Sequence, residues 1–290
     1  MKITTKAFLS VDWDYFVRSL GAWDWAHKEA PFFMSGEMWS IRLAPFMAQG
    51  FDLIDEMSPD KWARPKPETF WSVLKQLGYN FDYLEDFAVA ESHSAAAPSF
   101  YEMARWPEDY PDYIINFDAH HDLGYCEWAR LHEMIEEGTC TCDMWLCALL
   151  EWLPGIKTRI VYPNWLREES SLDDQWDHLK KSLPRKMLRR VEMGFFEDED
   201  GSIGEVVHRP RENIEVLSLF ICRSGAWTPP WLDEQFVEFV NEAARETGMA
   251  PEEFESSHKT GFKPLEPRKF SIESAQLLAE QWASLMKPKP

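Results

Sequence analysis

Short apolar runs alternate along the chain with longer stretches in which apolar residues recur at helical spacing. Five of the runs are short and rich in Val, Ile, Leu, Phe or Tyr, which is typical of β-strands. Their apolar character is continuous rather than alternating, as expected for strands that are buried on both faces of a parallel sheet. The predicted strands are residues 7–11, 87–90, 113–117, 158–162 and 216–222.

The stretches between these runs predict amphipathic helices. One of them begins after Pro229-Pro230 and is closed by Gly248, residues that commonly flank a helix. Strands that alternate with helices indicate an α/β fold, in which helices cover both faces of a mostly parallel sheet and give three layers. The predicted helices are residues 68–77, 127–137, 144–152, 232–247 and 271–285.

The 290 residues predict a single domain, because no repeat, low-complexity tract or linker interrupts the alternation of strands and helices. Two segments depart from this pattern. Residues 167–211 predict a charged insertion, with a solvated helical stretch at residues 167–190 and an acidic turn at residues 197–201. Residues 249–290 are rich in proline and charge and predict a C-terminal extension that ends in a helix.

Charge and cysteine content narrow the expected partners and location. The chain has 50 acidic and 30 basic residues, whereas nucleic acids and anionic membranes select for a basic face. We therefore expect neither as a partner, and Asp12 and Asp14 break the N-terminal apolar run that a signal peptide would need. The five cysteines match no disulfide framework, which favours the cytoplasm. Their Cys140-x-Cys142 pair alone is a weak zinc pattern.

Three of the predicted strands end in side chains that bind metals. Asp12 and Asp14 follow the first strand, and His93 follows the second. The third strand runs into Asp-Ala-His-His-Asp at residues 118–122. Because the carboxyl ends of parallel strands lie along one edge of a sheet, these three clusters can meet in space.

The types of residue favour a pair of divalent cations. In an extended segment alternate side chains point the same way, so Asp118, His120 and Asp122 share one side and His121 faces elsewhere. Burying two carboxylates and an imidazole together is costly without a cation. Four carboxylates and two imidazoles form a hard oxygen and nitrogen ligand set, which suits ions such as Mn²⁺.

These clusters resemble the motifs of a known family. The sequence INFDAHHD at residues 115–122 is similar to the Asp-Ala-His-x-Asp signature of the arginase and agmatinase family. That family has a further His upstream, often followed by Ser, and His93-Ser94 is similar. The sequence LSVDWD at residues 9–14 resembles the family's Ser-Phe-Asp-x-Asp motif. This acidic strand comes last in ordinary arginases and first here, so the chain looks more like the divergent branch that includes peptide arginases.

The resemblance implies a two-manganese hydrolase that cleaves a guanidino group to urea and an amine. The substrate would be a small guanidino compound or an arginine-containing peptide, with ornithine as the product from arginine. Asp118 and Asp12 would bridge the ions, Asp122 would accept a proton from the water that supplies hydroxide, and His121 is a candidate proton shuttle. The implied metal ligands are Asp12, Asp14, His93, Asp118, His120 and Asp122.

A guanidinium substrate also needs acidic partners that match its planar fork. Glu91, Glu127 and Asp143 lie near the ends of the motifs and are the candidates, with a solvated or helix-capping acid as the simpler interpretation of each.

Three other functions fit parts of the same pattern. The related deacetylases usually hold one zinc with two Asp and one His, whereas the additional Asp14 and His93 favour two ions. A phosphatase with Asp12 as nucleophile would leave the cluster at residues 118–122 unexplained. A catalytically silent binding protein is the remaining alternative. The sequence therefore predicts a metal-dependent C–N hydrolase, with a deacetylase-like amide hydrolase as the main alternative.

Overall fold

The strands form one parallel sheet in a computed structural model that describes residues 3–18, 32–104, 110–254 and 263–286. The strands are β1 (Ile3–Asp12), β2 (Tyr79–Asn80), β3 (Asp86–Ala90), β4 (Tyr113–Phe117), β5 (Lys157–Tyr162), β6 (Val191–Phe195), β7 (Glu212–Cys222) and β8 (Glu252–Glu253). Their order across the sheet is β6-β5-β4-β1-β7-β3-β8, and β2 pairs with β7. All of the five predicted strands are confirmed, and β4 has the predicted bounds.

Helices cover both faces of the sheet, which confirms the predicted three-layer α/β fold. One apolar core contains side chains of α1, α2, α4, α10 and α11, and the other contains side chains of α5 to α9. The helices are α1 (Phe32–Ala48), α2 (Leu53–Glu56), α3 (Pro59–Trp62), α4 (Pro67–Gln76), α5 (Ala96–Met103), α6 (Trp128–Glu136), α7 (Trp145–Trp152), α8 (Leu172–Ser182), α9 (Arg185–Leu188), α10 (Asp233–Thr247) and α11 (Ile272–Leu285).

Strand β1 lies at the centre of the sheet, between β4 and β7. Its side chains alternate between the two cores: Leu9 and Val11 enter one, and Phe8 enters the other. Because both faces are apolar, the strand reads as a continuous hydrophobic run in the sequence. The first acid of the chain, Asp12, therefore stands at the end of the most deeply buried part of the sheet.

The two segments that depart from the sequence pattern both contribute to the sheet. Residues 167–211 include α8, α9 and β6, and β6 pairs with β5 at one edge. In the described part of residues 249–290, β8 pairs with β3 and α11 packs along α1. No helix in the described ranges is both long enough and apolar enough to cross a membrane.

Candidate metal centre

The carboxyl ends of β4, β1, β7 and β3 lie side by side. The register pairs Val11 with Phe117, and it pairs Cys222 with both Asp12 and Ala90. The residues that follow these strands therefore begin at the same level of one edge. This register is the physical reason why acids and histidines far apart in sequence meet in the folded chain.

Tight turns then direct the side chains after each strand. Asp12 Oδ1 accepts a hydrogen bond from Asp14 N at 3.0 Å, and Asp118 Oδ1 accepts one from His120 N at 2.7 Å. These carboxylates cap their own turns, as Asp does readily. Asp122 has a φ of 50°, in the left-handed region that non-glycine residues seldom adopt. Backbone strain of this kind persists where the surroundings hold it and is frequent at functional sites.

The two histidines face the carboxylates through their Nδ1 atoms. His93 Nδ1 lies 3.0 Å from Asp12 Oδ2, 3.3 Å from Asp118 Oδ2 and 3.1 Å from Asp122 Oδ2. His120 Nδ1 lies 3.0 Å from Asp14 Oδ2 and 3.6 Å from Asp118 Oδ1. Asp118 thus stands between the two rings, with one oxygen towards each.

The four carboxylates are buried together, with exposures of 3% for Asp12 and Asp14, 0% for Asp118 and 5% for Asp122. Burial and the charges of Asp12 and Asp118 raise the pKa of Asp14 to about 7. Burial and the Asp118 charge likewise raise the pKa of Asp122 well above its usual value. For Asp118, burial is outweighed by hydrogen bonds from the histidines, which lower its pKa. Without added cations, the cluster therefore holds protons that isolated carboxylates would lose.

The pKa values of the two histidines also reflect the excess of negative charge in the cluster. Burial alone would lower the pKa of His93, but the Cys222 sulfur and the Asp12 carboxylate raise it well above its usual value. Burial likewise opposes the charge on His120, and Asp14 and Asp118 raise its pKa. Asp14 Oδ2 is buried and lies 3.0 Å from His120 Nδ1. These residues fit divalent cations, because two such ions carry as much positive charge as the four carboxylates carry negative charge.

A second set of contacts orients the candidate ligands. Ser10 Oγ lies 2.9 Å from His93 Nε2, so an Nε2–H that donates to this hydroxyl leaves the lone pair of Nδ1 directed at the carboxylates. Trp145 Nε1 donates to Asp122 Oδ2 at 2.6 Å, and Asn116 Nδ2 donates to Asp118 Oδ2 at 2.9 Å. Each contact fixes a carboxylate or a ring in one orientation, as metal centres require.

His121, the candidate shuttle, makes its contacts away from these carboxylates. Its Nδ1 accepts a hydrogen bond from Leu123 N at 3.1 Å, which places the proton on Nε2. Nε2 then donates to Nδ1 of His178 on α8, also at 3.1 Å. The ring stacks on Tyr125 with centroids 4.3 Å apart. His121 therefore connects the cluster after β4 to the charged segment at residues 167–211.

The three acids predicted to bind substrate have three different surroundings. Glu91 Oε2 accepts a hydrogen bond from Arg223 Nε at 2.7 Å, an ion pair within the protein. Glu127 is exposed at the N-terminus of α6. Asp143 lines the cavity above the candidate ligands, and its Oδ1 accepts from Thr141 Oγ1 at 2.5 Å. Of these acids, only Asp143 therefore stands where a molecule in the cavity would meet it.

The cavity also contains residues that the sequence did not single out. Ser224 and Trp227 follow β7, and Ser224 Oγ donates to Asp12 Oδ2 at 2.5 Å. Strand β7 was predicted, and the rule that strand ends share an edge would have pointed to the residues after it, although none of them is an acid. The cavity is lined by Asp12, His93, His120, Asp122, Tyr125, Cys142, Asp143, Ser224 and Trp227.

Three overlapping sets of side chains could hold an ion at this edge, each with ligand atoms within 4.8 Å of one another: Asp12 with His93 and Cys222, Asp14 with Asp118 and His120, and His93 with Asp118 and Asp122. Comparison of the chain with protein-family models, curated proteins and solved structures gives no significant match. The fold and these side chains define the class: a three-layer α/β protein with a candidate metal centre at the carboxyl edge of its sheet.

Proposed function

We propose that the chain is a metal-dependent hydrolase with two divalent cations, which cleaves a guanidino group to urea and an amine. The observation that carries the proposal is the position of Asp118. Its two oxygens face His93 and His120 on opposite sides, at 3.3 Å and 3.6 Å. A carboxylate shared in this way is suited to bridge two ions.

The charge of the cluster supports two ions rather than one. One divalent cation would leave two of the four buried carboxylates uncompensated, and uncompensated buried charge is costly. The ligand atoms are carboxylate oxygens and imidazole nitrogens, which hard and borderline ions such as Mn²⁺ accept. The sulfur of Cys222, the last residue of β7, lies close to Asp12 and His93 and is a further candidate ligand.

The chain's own residues supply the remaining parts of a hydrolytic reaction. When bound, the two metal ions would lower the pKa of a water so that it supplies hydroxide near neutral pH. Asp122 is held by Trp145 through Oδ2 and would be the residue that accepts the proton of this water. The guanidinium of arginine, free or within a peptide, would then yield urea and ornithine. Asp143, the acid of the cavity lining that is not a candidate metal ligand, would attract a cationic substrate.

The experiment is an assay for urea across guanidino compounds, with protein that has been loaded with Mn²⁺. Arginine, agmatine and arginine-containing peptides separate a small substrate from a peptide substrate. We expect urea from at least one of these compounds and none after the metal is removed with a chelator. Absence of urea from the whole panel, with two ions bound per chain, would contradict the proposal.

One observation favours a second candidate, an amide hydrolase of the deacetylase kind. The set His93, Asp118 and Asp122 has the one His and two Asp that such enzymes use to hold a single zinc. An acetyl-lysine peptide belongs in the same panel for this reason. Acetate release with one zinc per chain would support this second function, and urea release with two manganese ions would support the first.

A further inference from the structure

The loop that follows β7, residues 223–228, forms one wall of the cavity. It contributes Ser224 and Trp227 to the lining. Ser224 has a φ of 47°, in the left-handed region. A Cβ at Gly225 would lie 1.9 Å from Glu91 Oε1, so no larger residue fits there without displacing Glu91. The loop therefore has a strained and sterically confined conformation.

Side chains from distant parts of the chain hold this conformation. Arg268 Nη1 donates to Gly225 O at 2.5 Å, and its Nη2 donates to Thr228 O at 2.9 Å. Trp39 Nε1 donates to Gly225 O at 3.0 Å, and Arg42 donates to Ala226 O. Strained backbone persists only where the structure around it fixes it in this way, and such strain concentrates at ligand-binding and catalytic positions.

The arginine that holds the loop is itself neutralised inside the protein. Arg268 donates to both oxygens of Asp233, and Asp233 also contacts Arg223, which pairs with Glu91. Arg223 and Arg268 thus pair with two acids beneath the loop, and Arg42 adds a third cation beside it. The loop stands next to the candidate metal centre, where acids outnumber histidines.

The wall presents an aromatic surface to the cavity. The indole of Trp227 lies against the ring of His120, with centroids 5.9 Å apart, and it is half-buried at the opening. Asp143 lines the same cavity. An aromatic face attracts a cation through its quadrupole, and a planar guanidinium can stack on it while its N–H groups reach a carboxylate.

We propose that Trp227, together with Asp143, forms the subsite that binds the planar cation of the substrate. The inference rests on the proposed function and adds the recognition of charge: the site selects a guanidinium over a neutral group of the same shape. Trp227 acts as a binding and specificity residue, and Ser224 in the same loop holds Asp12 in place.

The test is a series of variants assayed with Mn²⁺-loaded protein and the best guanidino substrate of the panel. Trp227→Leu should raise KM about 5- to 30-fold, the strength of a partly desolvated cation–π contact, with kcat and metal content little changed. Trp227→Phe, which keeps an aromatic face, should restore most of the loss. Asp143→Asn should also raise KM. Inhibition by citrulline, in which a neutral ureido group replaces the guanidinium, should be the same in wild type and Trp227→Leu.

Trp128→Leu is the matched control, because Trp128 is also half-buried and stacks on a histidine, His132, at 5.2 Å, but does not line the cavity. It should leave KM unchanged. An unchanged KM in Trp227→Leu, or an equal loss of citrulline binding, would overturn the inference. If the wild type releases no urea at all, the proposed function fails, and the subsite is then tested by calorimetry of agmatine binding, which needs no reaction. Agmatine that binds to the wild type but not to Trp227→Leu would support the subsite. Equal binding to both proteins, or no binding to the wild type, would overturn it.

Discussion

The two ends of the sheet both bury charged side chains, but they balance that charge differently. At the amino end, Arg159 is fully buried and its Nη1 and Nη2 atoms donate to the two oxygens of Glu212 at 2.8 Å and 2.7 Å. Glu192 lies between Arg159 and Arg209 and pairs with both. Two arginines thus meet two acids. At the carboxyl edge, four acids meet two imidazoles.

The difference separates a structural ion pair from a candidate metal site. Burial alone would raise the pKa of Glu212, but the hydrogen bonds from Arg159 have the larger effect, and the net pKa is lowered. The charge of this carboxylate is therefore compensated by other residues of the chain. Asp14 and Asp122 have raised pKa values because burial and the neighbouring acids outweigh the histidines that face them. Buried acids without enough internal partners hold a proton or can bind a cation, whereas buried acids that are fully paired need neither.

The largest expected effect comes from removing the shared carboxylate of the candidate metal centre. Asp118→Asn keeps the shape of the side chain and removes the charge that faces both His93 and His120. We expect loss of both ions and of urea release, measured by elemental analysis and by the urea assay. Asp173→Asn, at an exposed acid of α8, is the control and should keep both. Two retained ions in Asp118→Asn would contradict the bridging role.

Removing a charge from the amino-end pair should lower the stability of the protein and leave metal binding intact. Glu212→Gln leaves Arg159 buried with its main partner neutralised, and breaking one side of a buried pair lowers the free energy of unfolding by about 3–5 kcal/mol. Metal content should stay the same. Denaturant unfolding measures the loss, with Glu133→Gln, from the exposed pair with Arg130, as a control that should change little. A fall in metal content in Glu212→Gln would mean that the two ends are not independent.

A smaller effect is expected from the hydroxyl that orients His93. Ser10→Ala removes the partner of Nε2 while the candidate ligand atoms stay in place. Loss of such an orienting contact weakens metal binding by about 10- to 100-fold. Titration with Mn²⁺ measures this, and Ser218→Ala is the control, because Ser218 is equally buried but donates to Asp86 instead. Equal affinities in the two variants would remove the orienting role of Ser10.

The smallest effect is a dependence of stability on pH in the metal-free protein. The pKa of Asp14 is raised to about 7, so from about pH 4 to 7 the folded state holds a proton that the unfolded state has lost, and stability falls as pH rises. The raised pKa values of His93 and His120 act in the same direction above pH 6.5. Glu212, with a lowered pKa, acts in the opposite sense only at the acidic end of this range, where the unfolded carboxylate takes up a proton.

Thermal unfolding between pH 5 and 8 checks this dependence. We expect the midpoint of the metal-free protein to fall with rising pH, and Asp14→Asn to flatten the slope. Added Mn²⁺ should raise the midpoint most at the higher pH, where the ligands are deprotonated. A metal-free midpoint that rises over this range would show that the acids of the centre are already compensated.

The sequence predicted the centre of the sheet because buried parallel strands are continuous apolar runs. It did not predict β6, whose residues Glu192 and Gly194 break the apolar run of an edge strand. Sequence spacing also could not show that Glu91 pairs with Arg223, because that partner comes from a neighbouring strand far along the chain. Ser224 and Trp227 were not predicted as site residues because the residues directly after β7, unlike those after β1 and β4, include no acid. Their position depends on β7 lying between β1 and β3, which is a property of the topology.

The most direct test of the central claim is an anomalous difference map from crystals of the Mn²⁺-loaded protein. The unbalanced carboxylates predict two peaks at the carboxyl edge of the sheet, one beside His93 and one beside His120, with Asp118 in contact with both. A single peak, no peak, or peaks away from Asp118 would contradict the account.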